Sequence, residues 1–346
     1  MKSTQRTSLI YYVILTTLSL VVWLSTTLTL KNVVYKSTGD TLIGFTEEQA
    51  IPFILKSGDI DMGCGMSQAF SLFIQSFSQV TNPPNHLAII FSLLTGNCAE
   101  FKAWEEELRY LRAMRSKNIE DAKDALIKQR RYLHLAASRQ LAGYLNLKLA
   151  FIEPGSDCPN FNTTNGEFFW LIGLLDGLQA VFNDISSGGT LGVPLDIGLK
   201  VGRGATCLNN EKWWGMPNAI QATVWSIFPD IKPADKKPFM ILDQSMQMGR
   251  QQGIGISLVL AAQVYSGIGN IEKVKEIIRS HTETKVQTPA KLKFKILDEM
   301  TTIQLLAISD RLWTTATGYR TPIGKLGTFW DDPKETVDTI ELNDIF

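Results

Sequence analysis

The sequence predicts a mainly α-helical protein: an N-terminal transmembrane anchor, a body of stacked helical hairpins and a small antiparallel β appendage at the C-terminus. Three observations carry this reading. Leu9 to Leu30 is an uncharged run, with Lys2 and Arg6 before it and Lys31 and Lys36 after it. From Thr46 to His281 apolar residues recur at three- and four-residue steps, the spacing of one helix face. Beyond Thr288-Pro289, Lys291-Leu-Lys-Phe-Lys-Ile296 alternates at period two, the pattern of a half-exposed strand.

At 1.5 Å per residue the first run crosses a hydrocarbon core of roughly 30 Å. A cleaved signal peptide has an apolar stretch of about 7–15 residues and a small-x-small cleavage site. This run is longer, has no Ala-x-Ala and has no Cys near its end, which favours an uncleaved signal anchor over a cleaved peptide or a buried core helix. The expected organisation is a short basic tail (1–8), the anchor (9–30), a linker (31–45), an α-helical domain (46–285), a β segment (290–330) and an acidic tail (331–346). A short tail ahead of a large body implies a single-pass protein of the inner (cytoplasmic) membrane, its body on the periplasmic or extracytoplasmic side.

Lys+Arg and Asp+Glu number 34 each, so no net field draws the chain to nucleic acid. Four cysteines, Cys64, Cys98, Cys158 and Cys207, allow three complete pairings. A helical hairpin brings Cys64 towards Cys98, and Cys158 precedes one helix while Cys207 ends another. That favours Cys64–Cys98 and Cys158–Cys207, with four separate buried thiols as the alternative.

Within the body, Thr46-Glu-Glu-Gln49 has the form of a capping box and starts a short helix that ends near Ser57-Gly58. A second helix covers Met66 to Val80 and stops at Thr81-Asn-Pro-Pro84. From Leu87 to Ala150 runs a long-armed hairpin. Ser116-Lys117-Asn118 turns it, and Asn118 caps the second arm with acids in its first turn. The run Glu105, Glu106 and Glu107 with interleaved arginines reads as a solvated face. Further helices are expected at Glu167–Ile185, Pro194–Gly204, Trp213–Phe228, Pro238–Gly253, Ile254–Gly267 and Ile271–His281. The β segment takes in Ile303–Ser309, Leu312–Thr317 and Gly324–Phe329.

Chemistry is sparser. His86, His134 and His281 form no ligand-spaced pair, no C-x-x-C occurs, and Gly198-Leu-Lys-Val-Gly-Arg-Gly204 lacks the ending of a phosphate loop. No metal, cofactor or catalytic residue is expected. The aromatics point to either a filled core or an apolar cavity between helices. A cavity would be lined by Trp170, Leu174, Phe182, Trp213, Trp214 and Trp225, with Asp176, Gln179 and Asn183 as its polar groups. Should the chain be an enzyme instead, Asp176, Asp184 and Glu211 are the first suspects.

The stretch Ala50-Ile-Pro-Phe-Ile-Leu-Lys56, followed by the long helices to Ala150, resembles the T-component of tripartite ATP-independent periplasmic transporters. The resemblance spans Thr41 to His281 and implies a non-enzymatic periplasmic protein with a tetratricopeptide-related helical body. It further implies self-association, a solute-binding protein as partner and a hydrophobic channel. The expected function is therefore that of a membrane-anchored, exported helical protein that binds a partner protein, a hydrophobic small molecule or both. The alternatives are a carboxylate-based enzyme and a scaffold or assembly factor of a membrane complex.

Overall fold

The computed structural model describes residues 2–161, 163–287 and 294–333; in the first helix it describes the side chains of residues 14–20 and 23 and those from residue 30 onward. Twelve α-helices and no strand occur among the described residues. Helix α1 (Lys2–Phe45) is 44 residues long and continues through the expected linker. Leu15, Leu18, Leu20, Trp23 and Leu30 on it are exposed. Thr46 caps nothing: residues 46–50 form one π-helical turn that joins α1 to α2 (Ile51–Lys56), and the Thr46 hydroxyl donates back to Leu42 O at 2.7 Å. Asp59 caps α3 (Ile60–Ser76) by accepting from Met62 N at 2.9 Å. The sequence carries no charged residue between Asp61 and Glu100, and α3 leaves Phe70, Leu72 and Phe73 exposed.

The body is organised on three long helices, α4 (Asn85–Arg115), α5 (Ile119–Ala150) and α6 (Thr164–Ser187). Asn118 accepts from Asp121 N at 3.2 Å and opens α5. The buried residues of α5 include Ala122, Ala125, Leu133, Ala136, Ala137, Gln140, Gly143 and Tyr144, a stripe of mostly small residues that lets neighbouring backbones approach. Gly143 is the tightest point. A Cβ there would lie 2.1 Å from Asp176 Oδ2 and 2.8 Å from Ser92 Cβ, so only glycine fits between α4 and α6. Helix α6 is long and apolar enough to cross a membrane, with mean hydropathy 1.3, yet 83% of that window is buried in the body. It is the core helix.

Short helices α7 (Asp196–Gly204), α8 (Met216–Ile227), α9 (Pro238–Gln251), α10 (Ile256–Gly267) and α11 (Ile271–Gln287) wrap this core. Both expected disulfides are present. Cys64–Cys98 ties α3 to α4, and Cys158–Cys207 ties the loop before α6 to the segment after α7.

Among the described residues no strand forms at the expected β appendage, and helix α12 (Lys295–Thr317) takes its place. Residues 288–293, which include the start of the first expected strand, and 334–346, most of the expected acidic tail, lie outside the described residues. Leu297, Thr301, Leu305 and Ile308 are buried at four- and three-residue steps, a helical period. The β-branched threonines are accommodated because their hydroxyls bond the preceding turn. Thr301 donates to Leu297 O at 2.9 Å, Thr302 to Asp298 O at 3.0 Å and Thr317 to Trp313 O at 2.8 Å. Gly318, with φ +88°, ends the helix. The expected strand at Gly324–Phe329 is a pair of turns, with Lys325 N on Pro322 O and Thr328 N on Lys325 O. Buried Lys275 of α11 pins the end of this segment to the body, through Asp331 at 2.6 Å and the rings of Phe329 and Trp330.

Of the three glutamates of α4 expected on a solvated face, Glu105 is exposed, Glu106 is buried and Glu107 is half-buried. Glu105 pairs with Arg320, Glu106 with Lys128 at 2.7 Å and Glu107 with Arg311 at 2.9 Å. They fasten α4 to α5, to α12 and to the segment after it.

Candidate functional site

Six helices border one cleft of about 600 Å³. Glu100, Trp104 and Glu107 stand at i, i+4 and i+7 on α4 and so share one face of that helix. Gln179, Phe182, Asn183 and Ser186 line it from α6, Gln129 and Leu133 from α5, Ser226 and Ile227 from α8, Gln263 and Val264 from α10, and Arg311 from α12. A second cavity of about 260 Å³ shares Trp104, Gln263, Gly267 and Arg311 with it and extends it along α12 past Gln304. The lining is rich in carboxamides, which both donate and accept, set between apolar walls.

The floor is a buried polar cluster. Glu100 is 4% exposed. Its Oε1 accepts from Gln140 Nε2 at 2.9 Å and from Asn183 Nδ2, and Asn183 Nδ2 also donates to Gln140 Oε1 at 2.7 Å. Burial pushes the Glu100 carboxyl above the usual range, against the pull of those two amides. Behind it, Asp176 is fully buried and neither carboxyl oxygen has a hydrogen-bond partner. Burial, then the proximity of Glu100, holds Asp176 well above the usual carboxylate range. A carboxyl in that setting keeps its proton, because the charged form has neither solvent nor a cation to stabilise it.

The aromatic residues singled out from the sequence divide between two places. Phe182 lines the cleft. Trp170 is fully buried, donates to Gly204 O at 3.0 Å and meets Phe151 and Phe161 edge-on. Leu174 is buried in the same core. Trp213 stacks on Phe168 and donates to Glu167 Oε2 at 2.7 Å, and Trp214 packs edge-on against Phe294. These four residues fill space. Trp225 is half-buried on α8.

Of the polar candidates, Gln179 and Asn183 reach the cleft, whereas Asp176 lies over Gly143. Asp184 accepts from Leu191 N at 2.8 Å and Val193 N at 2.7 Å and serves as the anchor of the loop after α6. Glu211 belongs to a turn, where its carbonyl accepts from Gln252 at 2.9 Å. The three carboxylates Asp176, Asp184 and Glu211 therefore hold three separate positions. His86 stacks on Phe169, His134 contacts Thr190 Oγ1 and buried His281 contacts Thr302 Oγ1, so the histidines also stay apart.

No family model, curated protein or solved structure matches this chain.

The residues that sequence reasoning passed over are Glu100, Trp104, Gln129, Gln263 and Arg311. Glu100 did carry a signal. It falls in helical register with Leu93, Gly96 and Ala103, on the buried stripe of α4, and an acid at such a position needs a reason.

Proposed function

We propose that this is a membrane-tethered helical protein whose body binds a small amphiphilic molecule in the cleft between α4, α5, α6, α8, α10 and α12. The cleft itself carries the reading. It has the volume of a small-molecule site, apolar walls and a few convergent polar groups. The mixed lining favours an amphiphilic occupant over a purely hydrophobic one.

Two observations support the tether. The described side chains of α1 between Ile14 and Leu30 are apolar or hydroxyl-bearing and exposed rather than packed on the body. Phe77, just past the end of α3, faces Gly39 of α1, nine residues beyond Leu30 and so about 14 Å along the helix. A single-pass anchor with the body on the periplasmic side, acting with a protein partner as the accessory component of a solute transporter, is the role the resemblance of the Ala50–Lys56 region suggests.

The carboxylate-enzyme reading rests on the raised pair Glu100 and Asp176. Binding is favoured because, of the two, only Glu100 lines the cleft. The test is native mass spectrometry of the full chain released from detergent. A co-purifying small molecule is expected in the natural protein and is expected to be lost in Ser226→Phe, which fills the cleft. An adduct that survives in the filled variant would place the ligand elsewhere.

A further inference from the structure

We propose that the cleft recognises a protonated amine carried on an apolar body, with Glu100 receiving the ammonium group. This rests on the cleft being a binding site and names the chemistry of what enters it.

Charge is the first ground. Among the described residues, Glu100 has no cation within ion-pair distance, and the other two ionisable residues of the lining neutralise each other, Arg311 holding Glu107 at 2.9 Å. The one ionisable group of the cleft lining without an oppositely charged partner is thus a single buried carboxyl. Both hydrogen bonds it receives fall on Oε1, from Gln140 and Asn183, which fixes the group in place and leaves Oε2 as the acceptor for an incoming donor. A buried acid without a counter-ion costs stability, and a ligand cation removes that cost in the bound state.

The surroundings suit an ammonium. Trp104 stands one turn along α4 from Glu100, and Phe182 lines the same cleft from α6. Aromatic faces attract cations and also accept the apolar part of an amine. The carboxamide oxygens of Gln129 and Gln179 offer acceptors for the remaining N–H groups. The upward shift of the Glu100 carboxyl by burial is the direction expected of an acid whose counter-ion is missing.

The test is calorimetric titration of the full chain in detergent with three matched probes, 2-phenylethylamine, 2-phenylethanol and phenylacetate. The amine is expected to bind at least about tenfold more tightly than the alcohol, the gain of a charge-assisted bond over a neutral one, and phenylacetate is expected not to bind. Glu100→Gln should abolish the preference for amine over alcohol while alcohol binding persists. Trp104→Leu should weaken the amine more than the alcohol, and it supplies the test if the Glu100 variant fails to fold. Binding of alcohol or acid as tight as that of the amine would overturn the amine proposal and leave the cleft as a binding site. Failure of all three probes would overturn both.

Discussion

The two halves of α6 do opposite things with similar residues. The first half, around Phe168, Trp170 and Leu174, is enclosed by Phe151, Phe161, Trp213 and the loop tied by Cys158–Cys207, and its one indole N–H is spent on Gly204 O. The second half, from Gln179 to Ser186, borders the open cleft, with Asn183 committed to Glu100. Aromatic content does not separate the two. What separates them is whether each polar atom finds a partner inside the protein. In the first half the indole does, and the space closes. Beside the second half the carboxyl of Glu100, on α4, lacks a cation among the described residues, and space remains.

The largest way to break this contrast is Trp170→Ala. A fully buried indole with two edge-on ring partners leaves a cavity when truncated, and a loss of about 3–5 kcal/mol is expected in chemical denaturation. The same truncation at Trp104, on the cleft wall, should cost far less. Equal losses would mean that the cleft is as tightly packed as the core. Next comes removal of Cys158–Cys207, which closes a separation of 49 residues. Cys158→Ala with Cys207→Ala should cost about 3–4 kcal/mol by loop-closure entropy, measured as a shift of the midpoint under non-reducing conditions. A reducing agent should reproduce that loss in the natural protein and add the effect of Cys64–Cys98. Third, Gly143→Ala drives a methyl into Asp176 and Ser92. Overpacking of this kind costs about 1–3 kcal/mol, and the same exchange at Gly267, where nothing lies within 4 Å, should not destabilise and serves as the control.

How far this contrast could be read from the chain depends on the physics of each part. The helical hairpin, the Asn118 cap and both disulfide pairings were legible because they rest on local periodicity, on side-chain capping and on the antiparallel return of neighbouring helices. The C-terminal helix was not. Thr301, Thr302, Ile303, Thr314, Thr315 and Thr317 favour strand by local preference, and burial of Leu297, Leu305 and Ile308 against the body overrides that preference. Thr46-Glu-Glu-Gln49 misled in a related way, since a capping sequence works only where a helix begins and here one helix runs into the next. Phe182, Gln179 and Asn183 border the cleft together because they share a face of α6, a spacing visible in the chain. Arg311 and Gln263 arrive from helices remote in sequence, and no local pattern announces such a meeting.

The smallest and most specific test concerns the sign of a pH effect. Asp176 is raised in the folded state by burial and by Glu100, so the folded protein holds this proton more tightly than the unfolded chain. Its contribution is fully present below the ordinary carboxylate value of about 3.9 and is lost as pH rises through the folded value. Buried His281, lowered to about 4 by burial and by Lys285, acts in the other direction: its contribution is present above about 6.5 and is lost as pH falls towards 4. The two overlap, so the stability of the natural protein alone cannot separate them. Asp176→Asn does. The variant keeps His281 and Glu100, and the difference between the two stability curves should be near zero or slightly unfavourable to the variant at pH 4, then swing in its favour as pH rises. The gain stays modest because the amide still lacks hydrogen-bond partners above Gly143. A difference curve that is flat between pH 4 and 8 would mean that Asp176 has a cation or solvent within reach, and the polar floor of the cleft would then be satisfied without a ligand.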